Sequence, residues 1–212
     1  MGSDVYFAGL RARDPGQNTE TKIRRLFDAA GLGDCIEPGA PTAIKLHFGE
    51  EGNDSYINPS FVRQVVEKVR EQGGKPFLTD SNTLYLGSRG DAVDHIITAV
   101  RHGFCYATIG APVIIADGLK GRNYREVEIG KKHFSRVLIS GDIAEVTSLI
   151  VLTHFKGHEV AGFGGAIKNL AMGKYGVQVI PPTGSAWSGG HATANVAGQW
   201  HQTATIEGTT AA

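Results

Sequence analysis

Two imidazoles and an amine, His154, His158 and Lys168, fall within one short stretch of this chain. The run Leu149-Ile150-Val151-Leu152 reads as a buried strand that ends in Thr153 and His154, and a glycine-dense turn, Gly162-Phe163-Gly164-Gly165, opens an apolar segment carrying Lys168. Imidazoles work near neutral pH as general acids and bases or as ligands of a divalent metal. Glycine-rich backbone lets N–H groups approach an anion, and a helix start with a lysine one turn in favours negative charge there. His158, His154 and Lys168 are therefore the candidate catalytic groups. Partial burial between Ile167 and Leu170 would lower the Lys168 pKa and suit it to nucleophilic work or to anchoring a ligand covalently. The same residues also fit a plainer account: a capping histidine, a solvent-facing one, a tight strand-to-helix connection and a surface lysine.

Two more strand ends carry polar groups. Lys45, His47 and Glu50 or Glu51 follow one, and Asp80, Ser81 and Asn82 follow another. In an open parallel sheet such ends share one rim, where ligands bind. His47, Asp80, His154 and His158 are the candidate metal ligands. Gly162, Gly164, Gly165, Lys168, Lys45 and Asn82 are the candidates for holding an anion or cofactor. Glu50-Glu51 reads as a solvated charge pair, and His95 and His102, set among apolar neighbours, read as structural. The glycine turn lacks phosphate-loop spacing, and no Gly-x-Ser-x-Gly supports a serine hydrolase.

The elements that would position these groups alternate. Val5 to Leu10 reads as a strand. Asn18 or Thr19 caps a helix with Ile23, Leu26, Phe27 and Ala30 inward and Gly31 as its stop. Thr42 to Phe48 is a strand, with Ile44, Leu46 and Phe48 on one face and Lys45 and His47 on the other. Asn58-Pro59 opens a helix with Phe61, Val62, Val65, Val66 and Val69 buried. Lys75 to Thr79 is the next strand, Asp91 to His102 a helix with Val93, Ile96, Ile97 and Val100 inward, and Pro112 to Ala116 a strand. Alternation from Asn123 to Ser140 predicts a hairpin, and a short helix near Asp142 to Thr147 leads to the strand at Leu149. The expected class is α/β, a mostly parallel sheet flanked by helices, with an antiparallel hairpin insertion.

The chain has 212 residues, with 21 Lys and Arg against 21 Asp and Glu. That balance gives no reason to expect nucleic acid or an anionic membrane as partner. Cys35 and Cys105 are too few and too far apart for an iron-sulfur cluster or a four-Cys zinc site on this chain. No apolar run approaches a membrane span, and Met-Gly-Ser-Asp-Val has no export-signal pattern, so a cytoplasmic protein is expected. Residues 174–212 differ in kind: Lys174 and Glu207 are their only charged side chains, and both Trp187 and Trp200 lie there. An α/β domain over 1–173 followed by a low-charge Gly/Ala/Thr-rich tail is the expected organisation.

Ala43-Ile44-Lys45-Leu46-His47-Phe48-Gly49-Glu50-Glu51-Gly52-Asn53, Phe77 to Tyr85, and Thr153 to His158 with Gly162 to Leu170 together resemble the domain-of-unknown-function family three-six-two. The resemblance covers roughly 4 to 173. Many of that family continue into a cysteine-rich ferredoxin module, which implies either a redox setting or a scaffold that docks a ferredoxin-type partner; this chain has no such module after Gly173. A shorter stretch is similar to the nickel-pincer lactate racemases. That likeness implies Lys168 as cofactor anchor and His158 as acid or base, without a secure counterpart for the later metal-ligating histidine. Three readings follow: a domain binding an anionic small molecule or cofactor with a divalent metal as a candidate companion, a non-catalytic scaffold, or a metal-assisted isomerase.

Overall fold

The computed structural model describes residues 4–130, 135–158, 162–171, 177–180 and 203–208. The expected hairpin turn at 131–134, residues 159–161, the expected boundary at Gly173 and the tail residues His191, His201, Trp187 and Trp200 lie outside them.

Five parallel strands form the main sheet. β1 (Pro41–Lys45) lies at its centre, β2 (Lys75–Asp80) and β3 (Val113–Ile115) extend it on one side, and β6 (Ser148–His154) and β10 (Thr203–Gly208) on the other. Both faces of β1, β2 and β6 are buried, which is why their sequences read as nearly continuous apolar runs. Ile44, Leu78, Ile150 and Leu152 pack on one face with Phe27 of α1 (Thr19–Ala29) and Val62, Val65, Val66 and Val69 of α2 (Pro59–Glu71). Ala43, Phe77, Leu149 and Val151 pack on the other with Val137 and Ile139 of the hairpin and Ile143 of α5 (Gly141–Glu145). The hairpin strands β4 (Tyr124–Glu128) and β5 (Arg136–Ser140) are antiparallel, and β9 (Val177–Ile180) joins β5. Residues beyond 173 thus contribute strands to both sheets.

Local signals explain the helices. Asn18 accepts from Thr21 N–H and Asn58 from Ser60 N–H, with Pro59 in the first turn of α2; Gly31, at φ 63°, follows α1. Two expectations need correction. Val5 to Leu10 is no strand: among the described residues nothing pairs with it, and Val5 and Phe7 are each 89% exposed. α3 (Ala92–Arg101), which the one-turn α4 (Tyr106–Ile109) follows, is rotated from its expected face. Val93, Ile97 and Val100 point outward, while His95, Thr98 and Ala99 are buried. On this inward face Thr98 Oγ1 donates to Ser88 O at 3.0 Å, and the His95 ring meets the Phe48 ring edge-on at 5.6 Å. No helix among the described residues is long and apolar enough to cross a membrane.

Candidate functional site

Parallel register brings three strand ends together. Lys45 lies opposite Thr79 of β2 and Val151 of β6, so Asp80 and the Thr153-His154 pair emerge just beyond it on one rim. The chain extends the sheet through β2 and β3 on one side of β1 and places β6 on the other. The rim beside β1 is therefore a topological switch point, where open α/β sheets bind ligands. A cleft of about 350 Å³ lies there, walled by Lys45, His47, Asp80, His154, His158 and Lys168, among others.

At its base is a closed charge circuit. Asp80 is buried; its Oδ1 accepts from Lys45 Nζ and from Ser81 N–H, both at 2.9 Å, and its Oδ2 from Arg89 Nη1 at 3.2 Å. Burial alone would raise the carboxyl, but Lys45 and Arg89 outweigh it and hold it well below the usual carboxylate range. Arg89 is 3% exposed and spans to Glu50, donating through Nε at 3.1 Å and through Nη2, while Nη2 also donates to the Tyr85 hydroxyl at 2.6 Å. Tyr85 in turn donates to Glu50, and burial together with Glu50 pushes its phenol up to about 12 against the opposing pull of Arg89. Against burial, Arg89 and Tyr85 draw the Glu50 carboxyl down.

Asn169 ties α6 (Ala166–Ala171) to this circuit. Its Oδ1 accepts from Lys45 Nζ at 3.0 Å, and its Nδ2 donates to Leu152 O at 2.9 Å and Thr153 Oγ1 at 3.0 Å. Lys45 and Arg89 are thereby matched by Asp80 and Glu50. Lys156 and Lys168 also line the cleft, and among the described residues neither forms an ion pair. Burial, then Lys156, Arg89 and Lys45, draws the Lys168 amine below its ordinary value.

The imidazoles are neutral at physiological pH where a shift is resolved. His47 keeps an exposed face and accepts from Gly49 N–H on Nδ1 at 2.9 Å, leaving Nε2 protonated in the neutral ring. Crowding, then Arg89 and Lys45, lowers its pKa. His154 is lowered by burial and then by Lys156. Although His47, Asp80, His154 and His158 line one cleft, no three His, Cys, Asp or Glu among the described residues cluster closely enough to hold a metal ion.

The glycine turn is built differently from its expected form. β7 (Lys156–His158) and β8 (Gly162–Gly164) pair as a hairpin before α6. Gly164 and Gly165 line the cleft and Gly162 does not. A Cβ on Gly164 would stand 3.0 Å from Lys168 Cδ, so this glycine makes room for the lysine stem. Asn82 also lies away from the lining: it is wholly buried, with its amide donating to Asp117 Oδ1 at 2.9 Å and Gly118 O at 2.8 Å. Glu50 is half-buried and paired with Arg89, correcting its reading as a solvated charge, whereas Glu51 is exposed and pairs with Arg101. Sequence reasoning missed Arg89, Tyr85, Lys156 and Asn169. Only Asn169 carried a usable signal, an amide next to Lys168. Of the two histidines expected among apolar neighbours, His95 is wholly buried, and His102 stacks on Tyr56 and donates from Nδ1 to Phe48 O at 2.7 Å.

Fold and site define an open α/β domain with a cationic cleft at the switch point of a parallel sheet. Residues 42–188 match the model of the family described as Domain of unknown function (DUF362), and the chain belongs to that family. The match runs past the expected boundary at 173. No curated protein and no solved structure gives a significant match, and the local likeness to lactate racemases is shown by none of these comparisons.

Proposed function

We propose that the cleft binds an anionic small molecule or cofactor, whose negative group sits between Lys156 and Lys168 against the backbone of Gly164 and Gly165. One observation carries the reading: the buried carboxylates are spent on Lys45 and Arg89, so the two remaining lysines have no anion of the protein's own among the described residues. A partly desolvated amine without a partner favours a ligand that supplies one. Calorimetric titration with inorganic pyrophosphate tests this. Binding should weaken with added salt, and Lys168→Ala should cost roughly tenfold to a hundredfold in affinity, the worth of a charged hydrogen bond. Affinity unchanged in Lys168→Ala would remove the assignment.

A second reading, acid–base catalysis on the bound anion, draws support from His154, which lines the cleft and, with its pKa lowered, is a neutral imidazole near pH 7. His158 lines the same wall. If the reading holds, solvent deuterium exchanges into a bound carbon acid, and His154→Gln slows that exchange. Exchange no faster than in free solution would reject it.

A further inference from the structure

The loop from Thr83 to Arg89 displays Leu84, Tyr85 and Leu86 at 66%, 55% and 102% exposure. Three consecutive large apolar side chains facing water need an explanation. Looseness of the loop does not supply one, because its base is pinned. Thr83 N–H donates to Arg89 O at 2.8 Å, Thr83 Oγ1 donates to Tyr85 O at 3.2 Å, and the Tyr85 hydroxyl is held by Glu50 and Arg89. Leu84 and Tyr85 form part of the cleft lining together with Tyr56 and Ile57, in the same cavity as Lys156 and Lys168. Across the glycine hairpin, Phe155 and Phe163 flank lining residues, with ring centroids 5.4 Å apart and both side chains exposed.

We infer that the ligand is an amphipathic organic anion, with its charged end on Lys156 and Lys168 and an apolar body seated on Leu84 and Tyr85. The inference rests on the anion-binding reading and adds the chemical class of the rest of the molecule. A ring whose hydroxyl is clamped at two points makes a preformed platform, so covering it with hydrocarbon orders little that is not already ordered. An inorganic anion would leave this wall wet. An organic phosphate or carboxylate with an aliphatic or aromatic body would cover it and keep its charge at the lysines.

The test is calorimetry on the full chain with inorganic phosphate, methyl phosphate, butyl phosphate and octyl phosphate, the last below its micellar range. Affinity should rise about fourfold for each methylene that the wall covers. In a Leu84→Ala, Tyr85→Ala double variant the ratio of butyl to methyl phosphate affinity should fall toward one. Both side chains are more than half exposed, so their truncation removes little packing; Tyr85→Ala also gives up the hydroxyl contacts with Glu50 and Arg89, and the affinity ratio cancels any effect of that loss on the anion site as it does a general loss of active protein. Methyl phosphate binding with a flat series, whether or not the chain self-associates on sedimentation, overturns the amphipathic assignment and leaves the anion site standing. A rise that persists in the double variant also overturns it, since the apolar body then lies elsewhere. Failure of every phosphate to bind takes down both readings together.

Discussion

His95 offers a quantitative test of the buried charge circuit. Its ring is wholly buried, neither nitrogen has a hydrogen-bond partner among the described residues, and its Nε2 stands 3.7 Å from Asp80 Oδ2. Burial pushes its pKa down to about 4; the nearby Asp80 and Glu50 pull upward, and Arg89 and Lys45 push further down. An unfolded histidine titrates near 6.5. As pH falls from about 6.5 toward 4, the unfolded chain takes up a proton that the folded chain refuses, so folding loses free energy at roughly 1.4 kcal/mol per pH unit. The sign is opposite to that of a paired histidine: stability is complete above the unfolded pKa and is lost on acidification. From this one group the loss is about 2 kcal/mol at pH 5 and about 3 kcal/mol near pH 4. His95→Leu removes the titration without severing any hydrogen bond and gives up an edge contact with Phe48 worth about 1 kcal/mol. Urea unfolding followed by circular dichroism, on both proteins from pH 7.5 to 4.5, should show the variant gaining on the parent as the solution acidifies. A stability difference that stays constant over that range would refute the burial of a neutral imidazole against Asp80.

Other perturbations follow from the same geometry. Asp80→Asn leaves Lys45 buried without its carboxylate and should cost about 3–5 kcal/mol in urea unfolding, the usual penalty for removing one partner of a buried pair; Asp80→Asn with Lys45→Met should recover much of it. Gly74→Ala puts a Cβ 2.6 Å from Ile36 Cγ2 and 2.9 Å from Val69 Cγ1, and chemical unfolding should register a loss of about 1–3 kcal/mol from overpacking. Because Lys168 is drawn below its ordinary pKa, pyrophosphate affinity should decline with rising pH before an ordinary lysine near 10.4 begins to lose its proton, and Lys168→Arg should move that decline upward on the same titration.

Much of the frame was readable because the pattern was local. Cap and proline at Asn58-Pro59, the valine stripe of α2 and the apolar runs of β1, β2 and β6 each declare themselves within a dozen residues, and the alternation of strand and helix implied a shared rim for Lys45, Asp80 and His154. What escaped was non-local. Nothing near Arg89 in sequence says that its guanidinium will bridge Asp80 to Glu50, and Glu50 looked solvated because its partner lies 39 positions away. Apolarity misled at α3, where Val93, Ile97 and Val100 form a plausible stripe, yet the buried face carries His95, packed edge-on against Phe48, and Thr98, bonded to Ser88 O. Asn82 failed for a related reason. A polar residue at a strand end is as useful for pinning a neighbouring loop, here through Asp117, as for facing a ligand.

The division of charge in the cleft matters more than its total. Four cations and two carboxylates line it, a modest excess if the groups are simply counted. Pairing makes that excess local: Asp80 and Glu50 are held by Lys45, Arg89, Tyr85 and backbone N–H, in contacts that a ligand would have to break to reach them. Lys168 stands beyond that circuit, on a helix that Asn169 fastens to Lys45 and to the end of β6. An arriving anion therefore competes with no carboxylate of the described residues for the amine, and it meets an amine already positioned. On this argument Asn169→Ala should weaken anion binding although the amide touches no ligand. Lys168→Ala should then erase the difference, because once the amine is gone its placement no longer matters. If the two substitutions instead weaken pyrophosphate binding additively, Asn169 acts on the ligand directly and the account of a prepositioned lysine is wrong.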